Sequence, residues 1–133
     1  MEETTGRAGQ GEETMPAAGA RRGGKGMETA DLAGRARYAP DKMQKVSLFD
    51  TQRSMTDLYC LQPGQSQRPH IHADEDKVYV VLEGQGEFRV GGEKATLGAG
   101  HAVLARAGME HGVSNPGPGN LRLLVFIAPP ISH

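Results

Sequence analysis

Residues 64–84 read Gly64-Gln65-Ser66-Gln67-Arg68-Pro69-His70-Ile71-His72-Ala73-Asp74-Glu75-Asp76-Lys77-Val78-Tyr79-Val80-Val81-Leu82-Glu83-Gly84. His70 and His72 are two apart, so on an extended strand both imidazoles point to one face and Ile71 to the other. In the run Lys77–Leu82, Lys77, Tyr79 and Val81 share one face, while Val78, Val80 and Leu82 share the other. Both faces are largely apolar, the pattern of a strand covered on both sides. The Gly84-Gln85-Gly86 sequence that follows reads as a β-turn, because no helix comes after it to make a phosphate loop.

The same texture extends in both directions. From Tyr38 onward, short apolar or alternating runs are separated by Gly and Pro, the spacing of an all-β barrel or sandwich. Strands are expected at Gln44–Phe49, Ser54–Leu61, Pro69–His72, Lys77–Leu82, Gly86–Val90, Glu93–Leu97, His101–Arg106, Gly112–Asn115 and Leu121–Ile127. Turn chemistry at Pro63-Gly64, Gly91-Gly92, Gly98-Ala99-Gly100 and Asn115–Gly119 separates them. No helix-length amphipathic pattern interrupts the series. In the last strand Leu121, Leu123, Val125 and Ile127 share one side, and Leu124 and Phe126 break up the polar side. Its second cover is expected to be either the other sheet of a barrel or a second subunit, so a homodimer is one expectation.

Before Tyr38 the composition changes. Leu32 is the only large aliphatic residue between Met1 and Arg37, with no Val, Ile, Phe, Tyr or Trp. Such a segment buries too little apolar surface to offset its chain entropy. Residues 1–37 are therefore expected to form a disordered tail and residues 38–133 the folded domain.

Composition also limits function. The chain has 133 residues, enough for one domain, and with no Trp its core must come mainly from Val, Leu and Ile. A formal net charge of -1 offers no footprint for a phosphate backbone or an acidic membrane, so neither nucleic acid nor membrane is an expected partner. The N-terminus lacks the apolar run of a signal peptide, and no stretch is long enough to span a bilayer. With a single cysteine, Cys60, there is no internal disulfide, and cytoplasm is the expected location.

The histidines carry the chemistry. His111 follows the His70/His72 pair by two strands and a Gly-rich turn, where a returning strand would set it opposite them. Three neutral imidazoles suit Fe, Mn, Zn, Ni, Co or Cu better than Ca or Mg. Taken alone, the spacing fits a surface polar pair as well as a metal site. His101 reads as a rim or core residue, Asn115 as a turn residue, His133 as solvated, and Cys60 as a buried small hydrophobe.

Gly64, then His70-Ile71-His72, then Lys77 and the run to Gly84, resembles the first motif of the cupin superfamily. Gly100, then Arg106-Ala107-Gly108-Met109-Glu110-His111 and Asn115, resembles the second. The resemblance covers about Met43 to Ala128. It implies an all-β, jelly-roll-like double-stranded β-helix whose three motif histidines, here His70, His72 and His111, bind a divalent transition metal. Two positions depart from the pattern. Arg106 replaces a usual Pro, and Lys77 stands where the family places a glutamate ligand. An ammonium repels a divalent cation. Three outcomes therefore stay open: an open three-histidine site, a slip or bulge bringing Asp76 or Glu75 inward, or no metal.

These readings imply a metal-binding small-molecule protein acting on a small polar or anionic substrate, with Lys77 and Tyr79 lining the pocket. As an enzyme it would be of the dioxygenase, isomerase or decarboxylase type. The alternative is a non-catalytic binding or sensing module in which Lys77 pairs with a ligand's carboxylate or phosphate.

Overall fold

The computed structural model describes residues 26–131. Among them nine strands form: β1 (Gln44–Asp50), β2 (Met55–Leu61), β3 (Ser66–His70), β4 (Asp76–Glu83), β5 (Gln85–Val90), β6 (Glu93–Gly98), β7 (Ala102–Ala105), β8 (His111–Ser114) and β9 (Leu121–Ala128). Each expected strand has its counterpart. They pair antiparallel into a five-stranded sheet ordered β1-β2-β9-β4-β7 and a four-stranded sheet ordered β3-β8-β5-β6. This is the double-stranded β-helix expected from the sequence.

The main core lies between the sheets. Tyr79 and Val81 of β4, Leu121, Leu123, Val125 and Ile127 of β9, and Tyr59 and Leu61 of β2 meet Phe88 and Val113 of the smaller sheet. The parity read from the sequence holds along β4, where Lys77, Tyr79 and Val81 are buried in alternation.

A second core lies outside the barrel. Val46 and Leu48 of β1 and Leu58 and Cys60 of β2 form it, packed against Ala30, Leu32, Ala36 and Tyr38. Strand β1 thus turns its apolar side outward, and Lys45 and Ser47, which alternate with Val46 and Leu48, take the opposite side, towards the barrel interior. The domain boundary expected at Tyr38 is corrected by this packing. Residues before it cover the outer face: the Arg35 guanidinium donates to Ser47 O at 3.0 Å and the Arg37 amide to Cys60 Sγ at 3.4 Å. The apolar content of this segment is low, but Leu32 and two alanines suffice because the sheet presents an apolar face to receive them. The part of the expected tail before residue 26, and His133, lie outside the described residues.

Cover of the outer face stops partway across. Phe126 of β9 pairs with Val78 of β4, which pairs with Leu104 of β7; Phe126 and Leu104 are each 44% exposed. No helix among the described residues is long and apolar enough to cross a membrane.

Candidate metal centre

Two strand ends and a tight approach build the site. In the β3/β8 ladder His70 lies opposite His111, after a register shift between Gln67 and His70. Gly112 makes this possible: a Cβ there would lie 2.8 Å from Gln67 O and 2.9 Å from Pro69 N, so a side chain would push the bulged strand away. The strand expected to run through His72 ends at His70. His72 lies in the following loop, where its carbonyl accepts from the Gly108 amide at 2.9 Å. Gly108, at φ 87°, turns the chain into β8 although Arg106 replaces the usual proline; the Met109 amide donates to Arg106 O at 3.1 Å.

One donor nitrogen from each of His70, His72 and His111 lies within 4.8 Å of the others. Two metal–nitrogen bonds of about 2.1 Å span at most roughly 4.2 Å, so the cluster is close to the size of a metal shell. The tautomers fit as well. His70 Nδ1 and His111 Nδ1 each face a backbone carbonyl at 2.9 Å, of Arg68 and of Met109. A carbonyl only accepts, so Nδ1 carries the proton and Nε2 keeps its lone pair. His111 Nε2 is buried and has no hydrogen-bond partner, a cost that a coordinated ion would remove.

Electrostatics keep the rings neutral. Burial lowers the pKa of His111 to about 4, opposed by the Met109 carbonyl and reinforced by the Lys77 charge. Burial, then the neighbouring positive groups, lower His70 and His72 too. A neutral imidazole is the form that ligates.

Among the described residues no carboxylate joins this cluster. Asp76 alternates outward from Lys77, and its Oδ1 accepts from the Ala107 amide at 2.8 Å. Glu75 Oε1 stands 3.7 Å from His72 Nδ1, beside the ring and on the nitrogen opposite Nε2. The strand keeps its register from Asp76 to Val81, so no slip turns Asp76 inward. Lys77 occupies the inner position, 1% exposed.

Lys77 is held inside the barrel. Its Nζ donates to Gln67 Oε1 at 3.3 Å, and the same oxygen accepts from Tyr79 OH at 3.0 Å. The amine also stands 5.0 and 5.1 Å from the ring centres of Tyr59 and Tyr79, within cation–π range. The Tyr79 ring lies 6.3 Å from that of His111. Lys77 and Tyr79, both expected in the pocket, thus border the histidine cluster.

Four further interior residues escaped the sequence reading: Gln67, Lys45, Asp57 and Tyr59. Parity counted back from His70 sends Gln67 outward, and only the register shift returns it to the inside. Lys45 alternates with Val46 and Leu48, and the sequence alone does not say which side of β1 faces the barrel. Asp57 and Tyr59 share parity with Met55 and Leu61 in β2, a signal that was present and unused. His101 is an exposed rim residue. Cys60 is fully buried. Asn115 is a turn residue and a brace, its Nδ2 donating to Leu61 O and Gly119 O at 2.9 Å each. A shallow groove of about 190 Å³ lined by Arg68, Glu87, Arg89 and Ser114 lies on the outer face of the smaller sheet, and none of the three histidines lines it.

Two antiparallel sheets enclosing a three-histidine cluster define a β-barrel protein with a nitrogen-donor site of metal-shell size. The family model for the cupin domain matches residues 57–127, and the chain belongs to the cupin family. A solved structure from Thermus thermophilus is 48% identical, with TM-score 0.76, covering 77% of this chain and 98% of that one. A Thermotoga maritima structure described as a predicted oxalate decarboxylase is 25% identical, with TM-score 0.62, covering 65% of this chain and 79% of that one. An oxalate-binding protein of Thermotoga maritima is 33% identical over 67 residues, which are 50% of this chain and 55% of that protein. The match thus spans about half the length of this curated relative.

Proposed function

We propose that the protein binds a divalent transition metal through Nε2 of His70, His72 and His111 and uses it to hold a small oxygen-rich molecule. The observation that carries this reading is the buried, unpartnered Nε2 of His111 within a cluster of three donor nitrogens. When bound, the ion would supply Lewis acidity or, if redox-active, a platform for dioxygen. His70 and His111 present lone pairs because backbone carbonyls fix their other nitrogens. Gln67 holds the Lys77 amine on its carbonyl oxygen, and Lys77 keeps further N–H donors for a ligand. Three protein ligands leave coordination positions open for a small molecule.

Calorimetric titration of Mn²⁺, Zn²⁺ and Fe²⁺ into tag-free, chelator-treated protein tests the reading. One equivalent is expected to bind, and His111→Ala to abolish it. Equal binding by that variant would overturn the site. An oxygen-uptake screen over small keto acids, thiols and diols then separates enzyme from binding module. The similarity to an oxalate-binding protein favours the binding module, for which the expected result is metal without turnover.

The uncovered strip of Val78, Leu104 and Phe126 supports the expected homodimer, since one flat apolar face meets its symmetry copy without further adaptation. Sedimentation of the parent and of Phe126→Glu checks it: the parent is expected at dimer mass and the variant at monomer mass. The buried Cys60 thiol suits a cytoplasmic setting.

A further inference from the structure

Strands β3, β8 and β5 lie side by side, and their outward residues stand in rows across the smaller sheet. Phe88 of β5 pairs with Val113 of β8 in the core, so the next pair along, Arg89 and Gly112, looks outward. On the other side of β8 the register runs from Gln67–Val113 to His70–His111, so Arg68 and Pro69 together stand opposite Gly112. The extra residue lifts the β3 backbone over the glycine, where a Cβ would lie 2.8 Å from Gln67 O and 3.0 Å from Pro69 Cα. A raised edge strand beside a residue with no side chain turns a flat face into a groove, of about 190 Å³. The apolar strip of Val78, Leu104 and Phe126 is on the other sheet, so contact between two copies there leaves this groove open.

We infer that the groove is a binding site for a small phosphate monoester, its phosphoryl group gripped between Arg68 and Arg89 over Gly112. The site is separate from the histidine cluster and does not rest on the metal reading.

Charge selects this ligand. Glu87 is the carboxylate that lines the groove, and both of its oxygens are engaged: Oε2 with Lys94 Nζ at 3.2 Å, and Oε1 with the Ser114 hydroxyl, which donates at 3.4 Å. Neither the Arg68 nor the Arg89 guanidinium meets an acceptor among the described residues. Their backbones are two strand spacings apart, about 9.6 Å, so two long side chains can close on one anion from both sides. A carboxylate brings one charge and presents two oxygens, the match for a single guanidinium fork. A phosphate monoester brings about −1.5 to −2 charges and three strong acceptor oxygens, enough to serve a fork on either side. Beyond the arginines the groove continues to Ser66 and Ser114, which face each other across the β3/β8 ladder and leave space for the esterified group.

Titration of glycerol 3-phosphate, inorganic phosphate and acetate into the full chain, stripped of metal and desalted, tests this by amide NMR. Glycerol 3-phosphate is expected to shift the Gly112 and Ser114 amides saturably, with a Kd of about 1 mM or tighter. Inorganic phosphate is expected to bind no more tightly than the ester, and acetate about tenfold or more weakly. Arg68→Gln and Arg89→Gln, both at exposed positions, are each expected to weaken the ester by about tenfold. Glu87→Gln removes the groove's carboxylate and is expected to tighten the ester by about two- to fivefold, a gain that a damaged fold does not produce. The proposal is overturned if acetate matches the ester, if inorganic phosphate binds where the ester does not, or if the shifts centre elsewhere. Arginine variants that keep the parent's affinity overturn it as well.

Discussion

Replacing Lys77 with methionine should change how stability depends on pH. The amine is 1% exposed. Burial, then the Lys45 charge, brings its pKa from 10.5 to about 7. In the unfolded chain the lysine keeps its proton up to about pH 10.4. Between these limits the unfolded state binds more protons than the folded one, so stability rises with pH across that window. Below about pH 7 both states are charged and the full penalty applies, on the order of 5 kcal/mol at 1.36 kcal/mol for each unit of displacement. Raising the pH from about 7 to about 9 relieves roughly 2 kcal/mol of it. Methionine fills nearly the same volume without an amine and gives up one hydrogen bond, to Gln67, worth about 1 kcal/mol. Lys77→Met is therefore expected to exceed the parent by roughly 4 kcal/mol near pH 6 and by only roughly 2 kcal/mol near pH 9. Urea unfolding of both proteins with a chelator present, at several pH values, measures this. Lys45, Tyr59 and Cys60 titrate in both and largely cancel in the difference. Parallel pH curves would refute a charged amine in the barrel interior.

Two further outcomes follow from the packing. Leu32→Ala should cost about 1–2 kcal/mol, since the side chain is only partly buried. Deleting residues 1–37 should cost several, because burying an aliphatic side chain is worth about 1.5–3 kcal/mol and the deletion uncovers the outer core; thermal unfolding with no shift on deletion would show that residues 26–37 do not pack. Gly112→Ala should displace β3 at its bulge and weaken metal affinity by about tenfold or more, since misplaced ligands lose bond geometry. Calorimetry on the variant reads this, and an unchanged affinity would show that the close approach to Gln67 and Pro69 does not position His70.

Much of this was legible because strands alternate with period two. The parity of Lys77, Tyr79 and Val81 and the glycine turns needed only local spacing, and those readings hold; the histidine pair was expected on one strand, which ends instead at His70. One source of failure is that a face's polarity does not say which way it looks. Val46 and Leu48 are apolar and face outward, because Leu32, Ala36 and Tyr38 come back over them. That return is a tertiary contact with no local signature. Gln67 was lost to a register shift of the kind that inverts parity without changing composition. The fate of Asp76 was equally non-local: its carboxylate accepts from the Ala107 amide just past the neighbouring strand β7, a partner 31 positions away.

The three histidines are not held alike. His70 and His111 face each other across a ladder, so neither can shift without breaking strand pairing. His72 sits past the end of its strand and is tied through its carbonyl to the amide of Gly108. Two of the three thus rest on a strand ladder and one on a loop. Opening the Gly108 loop would release His72 first, leaving a two-point grip that a competing chelator can strip. The lifetime of a bound ion should thus be set by how often that loop opens, a kinetic property that can be tuned at Arg106, Ala107 and Gly108 while the fixed pair keeps its geometry.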